Sequence, residues 1–296
     1  MRSHAHDGRF APSPTGALHL GNLRTALLAW LFARSAGSRF LVRMEDLDTG
    51  RVRAGVAEEQ LADLAALGLD WDGPVEFQSS RGSLYASALE QLRDEGHVYE
   101  CYCTRAEIRE AASAAHGPLP EGAYPGTCLQ LSAAQLAARR ASGRPPALRV
   151  RADAARVGFS DRLLGPLEGV VDDFVVRRGD GAYAYNLAVV VDDAHQGVEE
   201  VVRGNDLADS TPRQLWLARA LGLPEPAYAH VPLVLGPDGA RLAKRHGAVT
   251  LREVGADAAV AWMAATLGFS GAGPREWLAE FDPARLSNAD TRFEGG

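Results

Sequence analysis

An alternation of strand-like and helix-like segments at the start of the chain limits what it can fold into. Arg9-Phe10-Ala11 reads as a short strand and Pro12 to Gly16 as a turn; Leu20, Leu23, Leu27, Trp30 and Leu31 then recur at helical spacing. A second strand, Phe40-Leu41-Val42-Arg43-Met44, follows the turn at Gly37, and a helix over about 56–67 comes next. Helical crossovers return each strand in the same direction, so this order predicts an α/β fold with a parallel sheet. Ligands are then expected at the carboxyl ends of the strands.

The pattern changes after a further amphipathic helix at Ser83 to Glu95. From 97 to 180 it offers a cysteine-containing loop, a helix near Ala133 to Ala141 and a strand-like run at Ala147 to Arg151, and is read as an inserted subdomain. Alternation resumes with Tyr185 to Val191, a strand at Glu200 to Val202, a helix from Thr211 to Leu221 and a strand from His230 to Leu235. The expected division is a catalytic domain of residues 1–96 and 181–248, the insertion 97–180, and a short helical segment 249–296. Within that segment Asn288 to Gly296 reads as a frayed tail.

A formal charge of -7 argues against a protein that coats nucleic acid nonspecifically, which needs many phosphates neutralised. Lys244 is the single lysine among 31 basic residues. An ammonium is a compact point charge where a guanidinium is a planar fork, so a position that keeps lysine is informative. The N-terminus has no apolar signal segment, no stretch approaches membrane-spanning length, and the three cysteines are an odd count. These features predict a cytoplasmic protein with no membrane partner.

Two motifs carry chemistry. Pro12-Ser13-Pro14-Thr15-Gly16-Ala17-Leu18-His19-Leu20-Gly21-Asn22 puts small residues and a histidine at a helix start, where free amides and the helix dipole suit an anion. Gly16 and Gly21 would let the backbone approach a nucleotide closely. Arg241-Leu242-Ala243-Lys244-Arg245 follows a strand and the turn Gly236-Pro237-Asp238-Gly239, a basic loop suited to gripping phosphate charge as it shifts.

With both motifs in an α/β frame, the chain from Arg9 to about Val254 resembles the glutamyl-tRNA synthetase family of class I aminoacyl-tRNA synthetases. Its most specific pieces are Arg9-Phe10-Ala11-Pro12-Ser13-Pro14-Thr15-Gly16 and Tyr185-Asn186-Leu187-Ala188-Val189-Val190-Val191-Asp192-Asp193. The resemblance implies a Rossmann-like catalytic domain in which the two motifs are the HIGH box and the KMSKS loop. The second histidine of the former is Asn22 here; the first lysine and a serine of the latter are Arg241 and Ala243. It implies ATP at Pro12, Gly16, His19, Gly21, Asn22, Arg241 and Lys244, with His19 and Lys244 acting on the phosphates and Mg²⁺ accompanying ATP. It further implies L-glutamate at Arg9, Phe10, Ala11, Pro12 and Ser13, with Glu45 on the ammonium and Tyr185 and Arg203 on the carboxylate.

Cys101, Cys103 and Cys128 are all the cysteines of the chain, and their grouping suggests one structural zinc site. Gln130 is a poor fourth ligand. Tyr124 is preferred because a truncated branch of the family shows Tyr-x-x-x-Cys there, and His116 stays open as an alternative. Only 52 residues follow Lys244 in the 296-residue chain, too few for the helical anticodon-reading domain of an ordinary member. Length and the Tyr124 pattern together resemble the glutamyl-Q tRNA(Asp) synthetase branch. That implies tRNA-independent glutamate activation and glutamylation of queuosine in the anticodon loop of tRNA(Asp); a monomer is expected. Arg139, Arg140, Arg144, Arg149, Arg151, Arg177 and Arg178 are candidate phosphate contacts. A compact enzyme charging tRNA(Glu) and a noncatalytic RNA-binding paralogue are the alternatives.

Overall fold

A computed structural model describes residues 6–114, 123–247 and 249–294, with 111–114 and 244 described by backbone alone. The first unit runs β1 (Gly8–Phe10), α1 (Leu20–Ser35), β2 (Phe40–Met44), α2 (Val56–Ala66), β3 (Glu76–Phe77) and α3 (Gly82–Asp94). β1, β2 and β3 pair in parallel, in that spatial order. α1 is apolar on nearly every face, and its Leu20, Leu23, Leu27, Leu28, Trp30 and Leu31 are all within 1% of full burial. A helix of that composition belongs inside a core, and α1 is the centre of the larger of the two main hydrophobic clusters.

The middle of the chain contains β4 (Val98–Cys101), α4 (Arg105–Ala114), α5 (Ala133–Ala141), β5 (Ala147–Val150), β6 (Arg156–Asp161), β7 (Gly165–Val170) and β8 (Val175–Arg177). β4, β5 and β8 form their own antiparallel sheet. The β6–β7 hairpin does not stay with them. β6 pairs in parallel with β10, so part of the segment 97–180 extends the sheet that carries the cleft described below.

The last part is α6 (Tyr185–Gln196), β9 (Glu200–Gly204), α7 (Thr211–Ala220), β10 (Ala227–Val231), β11 (Val234–Leu235), α8 (Leu251–Val254), α9 (Ala256–Leu267), α10 (Pro274–Trp277) and β12 (Thr291–Arg292). β9 and β10 are parallel partners, and the amides of Glu199 and Glu200 donate to the Asp7 carbonyl at 2.9 and 3.2 Å, fixing β9 beside β1. The strand expected from His230 to Leu235 is broken at Pro232, which has no N–H to give a ladder.

The expected frayed tail is corrected over its described part, to residue 294. β12 pairs in parallel with β11, Asp290 accepts the Leu233 amide at 2.7 Å, and Phe293 is buried with its ring 5.6 Å from Trp262. One buried aromatic and one capping carboxylate hold a segment that composition alone leaves loose. Among the described residues no helix is long and apolar enough to cross a membrane.

Candidate active site

β1 ends at Phe10, β2 ends one residue before Glu45 and β9 ends just past Arg203, so these carboxyl ends open together on one cleft of about 580 Å³. Its walls include Arg9, Phe10, Ala11, Pro12, Ser13, Gly16, His19, Gly21, Asn22, Glu45, Tyr185, Arg203 and Arg241. Every site residue expected from the sequence on the ATP and glutamate side is therefore gathered here, apart from Lys244, whose side chain lies outside what the structure describes. Thr25, Gln60 and Asp206 also line the cleft and were not anticipated. Gln60 reaches from α2 to donate to the carbonyls of Ser13 and Gly16 at 3.1 and 2.8 Å, pinning the turn between β1 and α1.

The start of α1 shows why Asn22 can stand in its motif. His19 is the N-cap: its Nδ1 accepts the Asn22 amide at 3.2 Å, and the Asn22 side-chain oxygen accepts the His19 amide at 3.3 Å. This is a reciprocal capping box built from an unusual pair. Because Nδ1 is an acceptor, a neutral His19 carries its proton on Nε2. Burial, reinforced by Arg241 and His246, lowers its pKa to about 4, so it is neutral at pH 7. A side chain at position 21 would lie about 3.0 Å from the His19 ring and 3.2 Å from Val234, which is why glycine sits there. Arg241 reaches across the opening to Asp206 at 2.6 Å.

Deeper in, charges are matched. Arg9 donates through Nε and Nη2 to both oxygens of Asp193, each at 3.3 Å. Arg43, fully buried, donates to Asp193 at 2.8 Å and to Gln196 at 2.6 Å, with Glu45 at 3.4 Å and Asp192 at 3.6 Å. Asp192 is further held by Arg81 at 2.6 Å and by Gln78 and Tyr85 at 2.8 Å. Burial pushes the Glu45 carboxyl above its ordinary range against the pull of Arg43 and Arg9. Arg43 was missed because it sits in a run that reads as an apolar strand; a single charged residue in such a run was the available signal.

Arg203 is different. Its Nε donates to His230 Nε2 at 3.1 Å, Nη1 to Gln214 at 2.7 Å, and Nη2 to the Leu207 carbonyl at 3.3 Å and Thr211 Oγ1 at 2.8 Å. All four acceptors are uncharged side chains or backbone, and none was anticipated.

Away from the cleft, Cys101, Cys103 and Cys128 bring their sulfur atoms within 4.8 Å of one another. The Tyr124 hydroxyl lies 3.5 Å from Cys101 Sγ and 3.6 Å from Cys103 Sγ, and accepts the Cys128 amide at 2.8 Å. The Arg149 guanidinium lies over the Tyr124 ring at 3.8 Å and donates to the Asp173 carbonyl. His116 lies outside the described residues. Arg149 is thus buried, and its expected role as a surface phosphate contact is corrected: ring and carbonyl together hold the guanidinium inside. Arg139, Arg140 and Arg178 are exposed but paired with Glu107, Glu100 and Asp180. Arg144 and Arg151 are exposed, and Arg177 is half-buried against Tyr183.

Residues 7–279 match the family model for the catalytic domain of class I tRNA synthetases of the E and Q type. The chain is 62% identical over 284 residues to a glutamyl-Q tRNA(Asp) synthetase of Nocardia farcinica, covering 94% of this chain and 90% of that protein. The chain belongs to the glutamyl-Q tRNA(Asp) synthetase family. A second member, from Symbiobacterium thermophilum, is 51% identical over 308 residues, covering 97% of this chain and 95% of its own. Among solved structures, a glutamate tRNA ligase from Elizabethkingia meningosepticum in complex with its amino acid superposes with a TM-score of 0.83 at 27% identity. That match covers 98% of this chain and 67% of the ligase. Glutamyl-Q tRNA(Asp) synthetases are thus the context in which a class I catalytic fold carries this cleft.

Proposed function

We propose that the chain activates L-glutamate with ATP, without tRNA, and transfers the glutamyl group to queuosine in the anticodon loop of tRNA(Asp). The observation that carries the reading is a buried arginine, Arg203, facing the cleft with no carboxylate within 4.0 Å among the described residues, while the neighbouring charges Arg9, Arg43, Glu45 and Asp193 are matched to one another. In this reading Arg203 and Tyr185 take the substrate carboxylate, Glu45 takes the ammonium, and Arg9, Phe10, Ala11, Pro12 and Ser13 shape the pocket between them.

ATP enters as its Mg²⁺ complex at the start of α1, where the positive end of the helix dipole faces the phosphates and the Nε2–H of neutral His19 donates to a phosphate oxygen. Asn22 fixes the His19 ring; Gly16 and Gly21 keep the backbone open. The glutamate α-carboxylate forms a bond to the α-phosphorus as the bond to pyrophosphate breaks. No protein nucleophile is needed, so catalysis rests on positioning and on charge stabilisation by Arg241 and Lys244. A hydroxyl of queuosine then displaces AMP from the glutamyl adenylate, giving the ester.

Cys101, Cys103, Cys128 and Tyr124 would hold one zinc ion. With Zn–S of about 2.3 Å and Zn–O of about 2.0 Å, a tetrahedral site requires sulfur-to-oxygen separations of about 3.5 Å. The 3.5 and 3.6 Å from Tyr124 to two sulfurs support that fit. When bound, the ion supplies cross-linking of β4 to the turn around Cys128 and no step of the reaction.

The test measures glutamate-dependent ATP–pyrophosphate exchange without RNA, then transfer of labelled glutamate to tRNA(Asp) bearing or lacking queuosine and to tRNA(Glu). Exchange, with label on queuosine-bearing tRNA(Asp) only, is expected. Absence of exchange without RNA would remove tRNA-independent activation, and label on tRNA(Glu) alone would overturn the acceptor.

A further inference from the structure

The surroundings of Arg203 do more than hold it in place. A guanidinium buried to 5% exposure normally meets a carboxylate, as Arg9 and Arg43 do here. Among the described residues none lies within 4.0 Å of Arg203, and the hydrogen-bonding demand is met by His230, Gln214, Thr211 and the Leu207 carbonyl. Among the described residues four of its five N–H groups find acceptors, which leaves one on Nη1.

The tautomer of His230 is set by an acid placed behind it, while burial keeps the ring neutral. Its Nδ1 lies 2.6 Å from Asp161 Oδ2, and its Nε2 receives the Arg203 Nε–H, so the ring proton is on Nδ1. Asp161 comes from the β6–β7 hairpin and is saturated: it also accepts the amides of His230, Leu163 and Leu164. Burial and Arg203 lower the His230 pKa, which the Asp161 hydrogen bond only partly opposes. The acid therefore fixes the tautomer from one imidazole width away without ion-pairing to the arginine.

We propose that His230, Gln214 and Thr211 form a neutral cradle that orients Arg203 while leaving its charge uncompensated, and that this sets the preference for a carboxylate side chain over its amide. The inference rests on the reading that Arg203 meets the substrate carboxylate. A carboxylate in the cradle would convert the free cation into an ion pair, and glutamate would then approach a neutral site. Glutamine, uncharged at the same position, would lose much less. These are positioning residues, acting through Arg203.

Gln214→Glu preserves the shape that accepts Nη1–H and adds charge; it also gives up the bond from Gln214 Nε2 to Asn186 Oδ1 at 3.1 Å, a loss that Gln214→Met shares and so controls for. In ATP–pyrophosphate exchange the KM for glutamate is expected to rise about 10- to 100-fold, the range for a hydrogen bond to a charged group, with the KM for ATP unchanged. Inhibition by glutamine should strengthen relative to glutamate binding. Thr211→Asp places a carboxylate against Nη2 and should do the same if Gln214→Glu folds poorly; thermal melts report folding of each. Gln214→Met, which removes the bond without adding charge, should raise the glutamate KM far less than Gln214→Glu. Equal effects of Gln214→Met and Gln214→Glu, or a shared rise in the ATP KM, would overturn the proposal. Arg203→Met separates the two readings: an unchanged glutamate KM in that variant removes the role of Arg203 itself, while a raised one beside an unaffected Gln214→Glu removes only the cradle.

Discussion

Replacing Arg43 by methionine removes the hub of the buried charge network under the cleft. Arg43 is fully buried and has polar partners in Asp193, Gln196, Glu45 and Asp192 at 2.8, 2.6, 3.4 and 3.6 Å. The partners do not suffer equally. Asp192 keeps Arg81, Gln78 and Tyr85, and Asp193 keeps both bonds from Arg9. Glu45 loses the one cation within 4.0 Å of it among the described residues. Breaking a buried pair typically costs 3–5 kcal/mol, and the surviving partners place this case at about 3 kcal/mol. For a chain of this size each kcal/mol moves Tm by about 2–4 °C, giving a loss of about 6–12 °C in a thermal melt at pH 7. The pH dependence has a definite sign. Burial already raises the Glu45 pKa, and removing Arg43 raises it further, so the folded variant binds a proton more tightly than the unfolded chain. Stability of the variant should therefore recover toward the parent as pH falls from 7 to 5, and decline as pH rises. A variant within about 0.5 kcal/mol of the parent at pH 7, or a deficit that widens on acidification, would refute the reasoning.

Three further outcomes are expected. Lys244→Ala should abolish ATP–pyrophosphate exchange while glutamate binding, followed by calorimetry, stays within a few fold; unchanged exchange removes the role assigned to the only lysine. Because the His19 pKa is lowered to about 4, the acid limb of the exchange rate should show no histidine titration near 6.5 that His19→Asn abolishes. Its protonation disfavours the fold, so the associated stability is complete above 6.5 and is lost as pH falls toward 4. Purified protein should carry one equivalent of zinc. Tyr124→Phe should lower zinc retention against a chelator about 10-fold or more while leaving the three thiols in place, whereas less than a tenth of an equivalent in the parent would exclude the site.

How much of this is legible in the sequence depends on how far apart the interacting residues lie along it. The β1–α1–β2 unit was legible because its periodicities are local, and the cleft residues Arg9, His19, Glu45, Tyr185 and Arg203 were legible because they lie in contiguous motifs at strand and helix ends. Capping of α1 by His19 and Asn22 was present in the spacing of three, although histidine is an uncommon cap. The docked tail was not legible: Thr291 and Arg292 pair with a two-residue strand 57 positions earlier, and nothing within the tail specifies that partner. Nor was the buried state of Arg149, which depends on the Tyr124 ring and the Asp173 carbonyl from other segments.

The sharpest case is the division of labour around Arg203. A cation that meets substrate advertises itself by its residue type within a motif. The groups that hold it are a histidine, a glutamine, a threonine and a backbone carbonyl, common residues whose significance appears only when Asp161, 69 positions before His230, is seen to fix the ring from a hairpin inside the segment read as an insertion. In the proposed reading, sequence reasoning finds the charge that takes the substrate carboxylate and misses the neutral residues that keep it available. It follows that swaps such as Gln214→Glu, which look conservative in sequence, should disturb substrate choice more than Arg139→Ala or Arg140→Ala, which remove exposed, carboxylate-paired cations.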